Sequence, residues 1–158
     1  TMQIAIVTVP DIPVAMLLHQ GSPETLQQTA GRFVAWRKTS GYSPVRRCRT
    51  FGIAPDDPHN CDPQQFRFMI AGEVSASIPE DNDFSVVNSV IPGGRCATVR
   101  HQGSHERLTA LAQSLYRDWL PGSGETLRDF PLWFHYHNFI HEVAEHQLVT
   151  DIFLPLKD

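Results

Sequence analysis

The chain has 158 residues, of which 41% are hydrophobic and 19% charged, and a formal net charge of -4; these proportions suit one compact domain and exclude both a disordered segment and a strongly basic nucleic-acid-binding surface. Three cysteines, Cys48, Cys61 and Cys96, are odd in number and form no C-x-x-C pair, which argues against a disulfide framework and a zinc ribbon. No run approaches the roughly 18 apolar residues of a membrane span and the N-terminus lacks a signal-peptide pattern, so a soluble, cytoplasmic protein without a membrane partner is expected.

In chain order, residues 3–7 and the apolar run 14–18 read as one strand with a break at Pro10, Asp11 and Pro13. His19-Gln20-Gly21-Ser22 comes next, with Ser22 as a helix cap, Pro23 at the first helical position and Glu24 facing the dipole. Leu26, Ala30, Phe33 and Trp36 then recur at helical spacing, and Gly41 supplies a left-handed stop. Residues 46–53 and 65–71 read as two further strands, separated by the turn residues Pro55 to Pro58; in the second, Phe66, Phe68 and Ile70 share one face.

The tetrapeptide returns as His101-Gln102-Gly103-Ser104, 82 positions after its first occurrence, with Glu106 and Leu108 matching Glu24 and Leu26. Repetition at half the chain length implies two copies of one supersecondary unit. The polar segment 79–83 is the junction, giving one domain of two pseudo-repeats, about 1–79 and 80–158. The second copy has strands at 84–90 and 95–100, a helix with Leu108, Leu111, Ala112, Leu115, Tyr116, Trp119 and Leu120 as its buried stripe and Pro121-Gly122 as its end, then strands at 132–137 and 148–154. The expected fold is α+β: duplicated strand-helix-strand-strand units forming an antiparallel sheet, two helices on one face, and a ligand groove between the halves.

Catalytic motifs fail on spacing. No G-x-S-x-G, Walker loop or G-x-G-x-x-G occurs, and His141-Glu142-Val143-Ala144-Glu145-His146 misses the zinc-protease helix by one position. His135 and His137 share a strand face in metal-compatible geometry, yet without a complete motif no metal and no cofactor is assigned. His19 and His101, just before their helices, read as structural. Aromatic side chains make the better binding surface. Alternation sends half of each strand to the helix side, so each aromatic has a core alternative; Phe68, Trp133, Phe134 and Tyr136 are assigned to the ligand pocket, and Trp36, Tyr116 and Trp119 to the core.

The two halves, Asp56-Asp57-Pro58, Ile91-Pro92-Gly93-Gly94, Trp119-Leu120-Pro121 and the ending Thr150 to Leu156 together resemble the gyrase-inhibitor-like (GyrI-like) effector-binding domains, found alone or in the C-terminal half of AraC-type transcription regulators. The resemblance implies a groove for hydrophobic or cationic small molecules, a possible homodimer, and DNA binding only through a separate helix-turn-helix region absent here. Some relatives carry a glutamate in a P-x-x-E-x-Y pattern; in Pro131-Leu132-Trp133-Phe134-His135-Tyr136 the tyrosine remains and Phe134 replaces the acid. The expectation is therefore a ligand-sensing module without catalytic residues, cut from a longer regulator on the sign of Thr1 ahead of Met2. The alternatives are a stand-alone gyrase-inhibitor-like protein-binding module or a small-molecule hydrolase using Glu73, Asp151 or a histidine.

Overall fold

The computed structural model describes residues 2–158; Thr1 lies outside the described residues. Eight strands occur among them: β1 (Ala5–Val9), β2 (Ile12–Gln20), β3 (Thr50–Ala54), β4 (Arg67–Glu73), β5 (Val87–Ile91), β6 (Gly94–Gln102), β7 (Leu132–Tyr136) and β8 (Val149–Pro155). The helices are α1 (Leu26–Ser40) and α2 (Leu108–Ser114), the latter continuing through a π-turn at Leu115–Trp119 into the short α3 (Leu120–Ser123). Moving β1 to β4 along the chain by the spacing of the repeated tetrapeptide lands on β5 to β8 end for end. The fold class is α+β with antiparallel strand pairs, as expected.

Two compact units divide the chain, one of Asp11–Ile91 and one of Pro92–Asp158 with the residues up to Pro10. In the first, β2 lies between β4 and β5, and β3 pairs with β4. The second has the equivalent order: β6 lies between β8 and β1, and β7 pairs with β8. Thus β1 and β2 are two strands of different units, not one strand with a break, because Pro10 cannot donate to a strand pairing and ends β1. Likewise β5, expected to open the second half, pairs with β2 of the first. Each repeat gives its first strand to the sheet built on the other repeat.

The duplicated corner is built the same way twice. Gly21 (φ 133°) and Gly103 (φ 122°) take backbone conformations that side chains rarely adopt. The next residue is a serine whose hydroxyl accepts the N–H of Glu24 in one copy and of Glu106 in the other, at 3.2 and 3.1 Å, satisfying a donor that the helical turn leaves free. In the Asp11–Ile91 unit, Phe33 and Trp36 stack at 5.6 Å and pack on Ala15 and Leu17 of β2 with Val74, Ile78 and Val86. Burying each of these aromatics contributes roughly 1.5–3 kcal/mol. Arg37, one position past Trp36, is also buried and draws in the segment before β3: its guanidinium donates to Ser43 O and Oγ, Thr50 Oγ1 and Cys48 O. Residues 46–49 are therefore a turn around that cation, and β3 starts later than the sequence pattern indicates.

The second helix departs from its expected stripe. The π-turn, with Leu120 N–H bonded to Leu115 O, adds a residue to the turn and rotates the helical residues beyond it. Leu115 is fully buried, whereas Tyr116 is 39% exposed and Trp119 half-buried, so Tyr116 is not a core residue. The wider turn also accommodates Pro121, whose ring would clash with a carbonyl in a regular helix, and the helix runs on to Ser123.

Candidate functional site

Strand register sorts the aromatic residues of the Pro92–Asp158 unit onto two faces. Residues directly opposite one another in an antiparallel pair share a face. One face therefore carries the rows Val99, Ile152, Phe134 and His101, Thr150, Tyr136; the other carries Thr98, Phe153, Trp133 and Arg100, Asp151, His135. The first is the helix side, because the His101 ring nitrogen Nε2 bonds Ser104 O at the helix corner and Tyr116 bonds the backbone of Leu132.

Of the four residues assigned to the pocket from the sequence, this arrangement brings two together. Phe134 and Tyr136 stack on the helix side with ring centroids 6.1 Å apart. Trp133 points through the opposite face, where it lies parallel to Phe153 at 4.1 Å and 8°. Phe68 belongs to the other unit, opposite His19, in the row equivalent to that of Thr150. Phe68, Trp133 and Phe134 are buried, and Tyr136 is half-buried.

The helix-side row is polar in a way its counterpart is not. In the first copy the His19 ring is satisfied at both nitrogens, Nδ1 with Thr29 Oγ1 at 2.6 Å and Nε2 with Ser22 O at 2.9 Å. In the second copy Leu111 stands at the position equivalent to Thr29 and offers no hydroxyl to the His101 ring, whose Nε2 bonds Ser104 O at 2.9 Å. Thr150 replaces the apolar Phe68, and its hydroxyl is buried without a hydrogen-bond partner among the described residues. A buried hydroxyl with no partner costs about 1–3 kcal/mol, so its retention in an apolar strand demands an explanation. Tyr136 replaces Ala54, Phe134 replaces Gly52, and His105 replaces Pro23.

His105 was not singled out in the sequence because it sits among helix-start residues; the signal was its departure from the repeat. Although exposed overall, it lies with its ring against Tyr136 at 5.3 Å. Desolvation of that ring, and after it the nearby His101, lowers its pKa below the ordinary histidine value, against an upward pull from Glu145. Burial pushes the Tyr136 hydroxyl up. At neutral pH the His105 ring and the Tyr136 hydroxyl are accordingly uncharged, and offer aromatic surface with an imidazole and a hydroxyl group to exchange hydrogen bonds.

On the opposite face Asp151 accepts two hydrogen bonds from Arg100, at 2.9 and 3.0 Å, and one from His137 Nε2 at 2.7 Å. Burial alone would raise the Asp151 pKa, but these hydrogen bonds outweigh it and hold the carboxyl below its usual value. Cys48, Cys61 and Cys96 are free thiols, and Cys96 is buried. Among the described residues no helix is long and apolar enough to cross a membrane.

A family model described as the GyrI-like small molecule binding domain matches residues 2–157. The chain belongs to this family. The chain is 45% identical over 156 residues to the probable transcriptional regulator YgiV of Escherichia coli (strain K12), covering 99% of this chain and 97% of that one. Among solved structures it resembles the C-terminal domain of EcmrR, with TM-score 0.80, 17% identity and coverage of 99% and 98%. EcmrR in a complex with DNA also matches, at TM-score 0.79 and 15% identity; this chain spans 58% of that EcmrR chain. A Listeria innocua protein described as a hydrolase has TM-score 0.64 at 12% identity, covering 98% and 92%. The solved structures share the fold, and at these identities the likeness extends no further.

Proposed function

We propose that this GyrI-like domain is the effector-binding part of a transcription regulator, and that its effector is a neutral aromatic molecule with one hydrogen-bonding group. The observation that carries the reading is the buried, unpartnered Thr150 hydroxyl, directly across the strand pair from Tyr136, set against a first copy in which Phe68 stands at that position and the histidine is satisfied at both nitrogens. A ligand that stacks on Phe134 and Tyr136 and bonds Thr150 Oγ1 supplies the missing partner. Phe134 and Tyr136, assigned to the pocket from the sequence, join His101, His105 and Thr150 in this site, while Trp133 lies on the other face and Phe68 in the other unit.

The position where some relatives have a glutamate holds Phe134, so a cationic ligand would find a π face and no carboxylate. The same substitution favours binding over hydrolysis, since a buried carboxylate would be the general base. The regulatory role rests on the name given to YgiV, whose length this chain nearly matches; attachment to an AraC-type DNA-binding part is a separate element of the proposal, suggested by the resemblance in sequence. Ligand would act by stabilising one conformation through its differential affinity.

The test is a thermal-shift screen that sets neutral phenols and aromatic amides against tetraphenylphosphonium. Neutral compounds should stabilise the protein more than the cation does. Thr150→Val, nearly isosteric, should keep the fold and weaken binding about tenfold, the worth of one hydrogen bond. Binding that Thr150→Val and Phe134→Ala both leave unchanged would place the site elsewhere.

A further inference from the structure

The face opposite the effector cluster brings together three side chains that no sequence motif connects. His135 and His137 alternate onto one side of β7, and the register places Asp151 of β8 directly opposite His135. One ligand atom from each of the three lies within 4.8 Å of the others, and the two imidazole rings are 3.9 Å apart. We propose that His135, His137 and Asp151 form a binding site for a divalent transition cation such as Zn²⁺ or Ni²⁺.

The ligand chemistry and the geometry both support this site. Two imidazole nitrogens and one carboxylate oxygen suit Zn²⁺, Ni²⁺ or Cu²⁺, whereas Mg²⁺ and Ca²⁺ favour oxygen ligands. Bonds of about 2.0–2.2 Å around a tetrahedral ion place ligand atoms about 3.4 Å apart, so atoms now within 4.8 Å close by about 1.4 Å at most, and His137 Nε2 and Asp151 Oδ2, at 2.7 Å, open by about 0.7 Å. His137, exposed at the end of the strand, has the freedom to make that movement. On binding, Asp151 Oδ2 would exchange its bond from His137 for the cation, while Arg100 Nε keeps its bond to Oδ1 and holds the carboxylate in place, as outer hydrogen bonds do at metal sites. Three protein ligands leave at least one coordination position open to water or to a donor atom from a bound molecule. Phe153 and Trp133 stack one row along the same face.

The test uses the full chain after chelator treatment, titrated calorimetrically with ZnCl2, NiCl2 and MgCl2. One equivalent of Zn²⁺ or Ni²⁺ should bind and Mg²⁺ should not. His135→Ala, His137→Ala and Asp151→Asn should each weaken binding tenfold or more, while circular dichroism confirms an unchanged fold. His141→Ala, His146→Ala and Cys61→Ser should bind as the parent does. Arg100→Ala should weaken binding less than the ligand substitutions do and leave the stoichiometry at one, because the arginine orients the carboxylate without ligating. Co²⁺ provides an independent readout, since nitrogen and oxygen ligation gives weak visible bands without the intense near-ultraviolet absorption of a thiolate ligand. Absence of stoichiometric binding would overturn the proposal, and so would stoichiometric binding that survives all three ligand substitutions. Both outcomes are independent of Thr150 and of any effector.

Discussion

Arg37 shows how much one side chain can decide. It is 4% exposed, and burial draws its pKa down to about 10, so it remains a cation at neutral pH inside the core. Its stability depends on four acceptors that only a planar, five-donor guanidinium can reach together: Ser43 through two atoms, Thr50 and Cys48. Arg37→Met, which preserves the apolar stem, leaves those acceptors buried and unsatisfied, and should lower stability by about 3 kcal/mol in urea unfolding. Arg37→Lys should recover less than half of the loss, since one ammonium cannot span Ser43 and Thr50. Full recovery by lysine would show that charge alone, without the guanidinium geometry, holds the 43–50 segment. The sequence does not disclose this role, because an arginine one position past an apolar stripe is usually a solvated flank. Similarly, Asp151 joins His135 only through strand register, which no local pattern encodes. The split between Trp133 and Phe134 comes from strict alternation and was legible in principle; grouping all three aromatics of β7 set that rule aside.

At the scale of elements, the two corners and α1 separate backbone conformation from packing. A methyl group added at Gly21 or at Gly31 would meet no atom within 4 Å in either case. The difference lies in the backbone: Gly21 has φ 133°, while Gly31 lies inside α1 with helical geometry. Gly31→Ala should therefore stabilise the protein by about 0.5–1 kcal/mol through the unfolded state and helix propensity. Gly21→Ala should destabilise it by roughly 1–3 kcal/mol, the usual cost of a side chain held in a sparsely populated region. Paired thermal melts read both, and equal effects of the same sign would refute the division. The helices and their caps were legible because serine, acid and glycine signals are local. The end of the second helix was not: Pro121 indicated a stop, but the π-turn at Leu115–Trp119 relieved the clash and carried the helix past it.

The repeat was legible at the scale of the whole molecule, while the exchange of first strands was not, since β1 and β5 have the same character and either pairing satisfies their periodicity. Exchange allows the copies to diverge under one architecture. The first copy keeps a satisfied histidine and an apolar row, and the second holds the aromatic and polar groups of the proposed sites. It also makes foldability depend on where the chain is cut. Fragment 11–91 contains β2 to β5 with α1 and keeps both neighbours of β2, namely β4 and β5; fragment 1–79 ends before β5 and leaves one edge of β2 open along Ile12 to Met16. An open edge with apolar neighbours is a template for another chain. Fragment 11–91 should therefore be a cooperatively folding monomer. Fragment 1–79 should associate, with β1 of one copy taking the place of β5 on the β2 of another, a swapped dimer of the kind that exchanged elements favour. Light scattering with size exclusion distinguishes the two, and amide exchange should show β2 protected in fragment 1–79 only at concentrations where it is dimeric. A monomeric fragment 1–79 with β2 fully protected would mean that β1 folds back onto its own copy, and that the exchange is a preference of the intact chain and no requirement of the repeat.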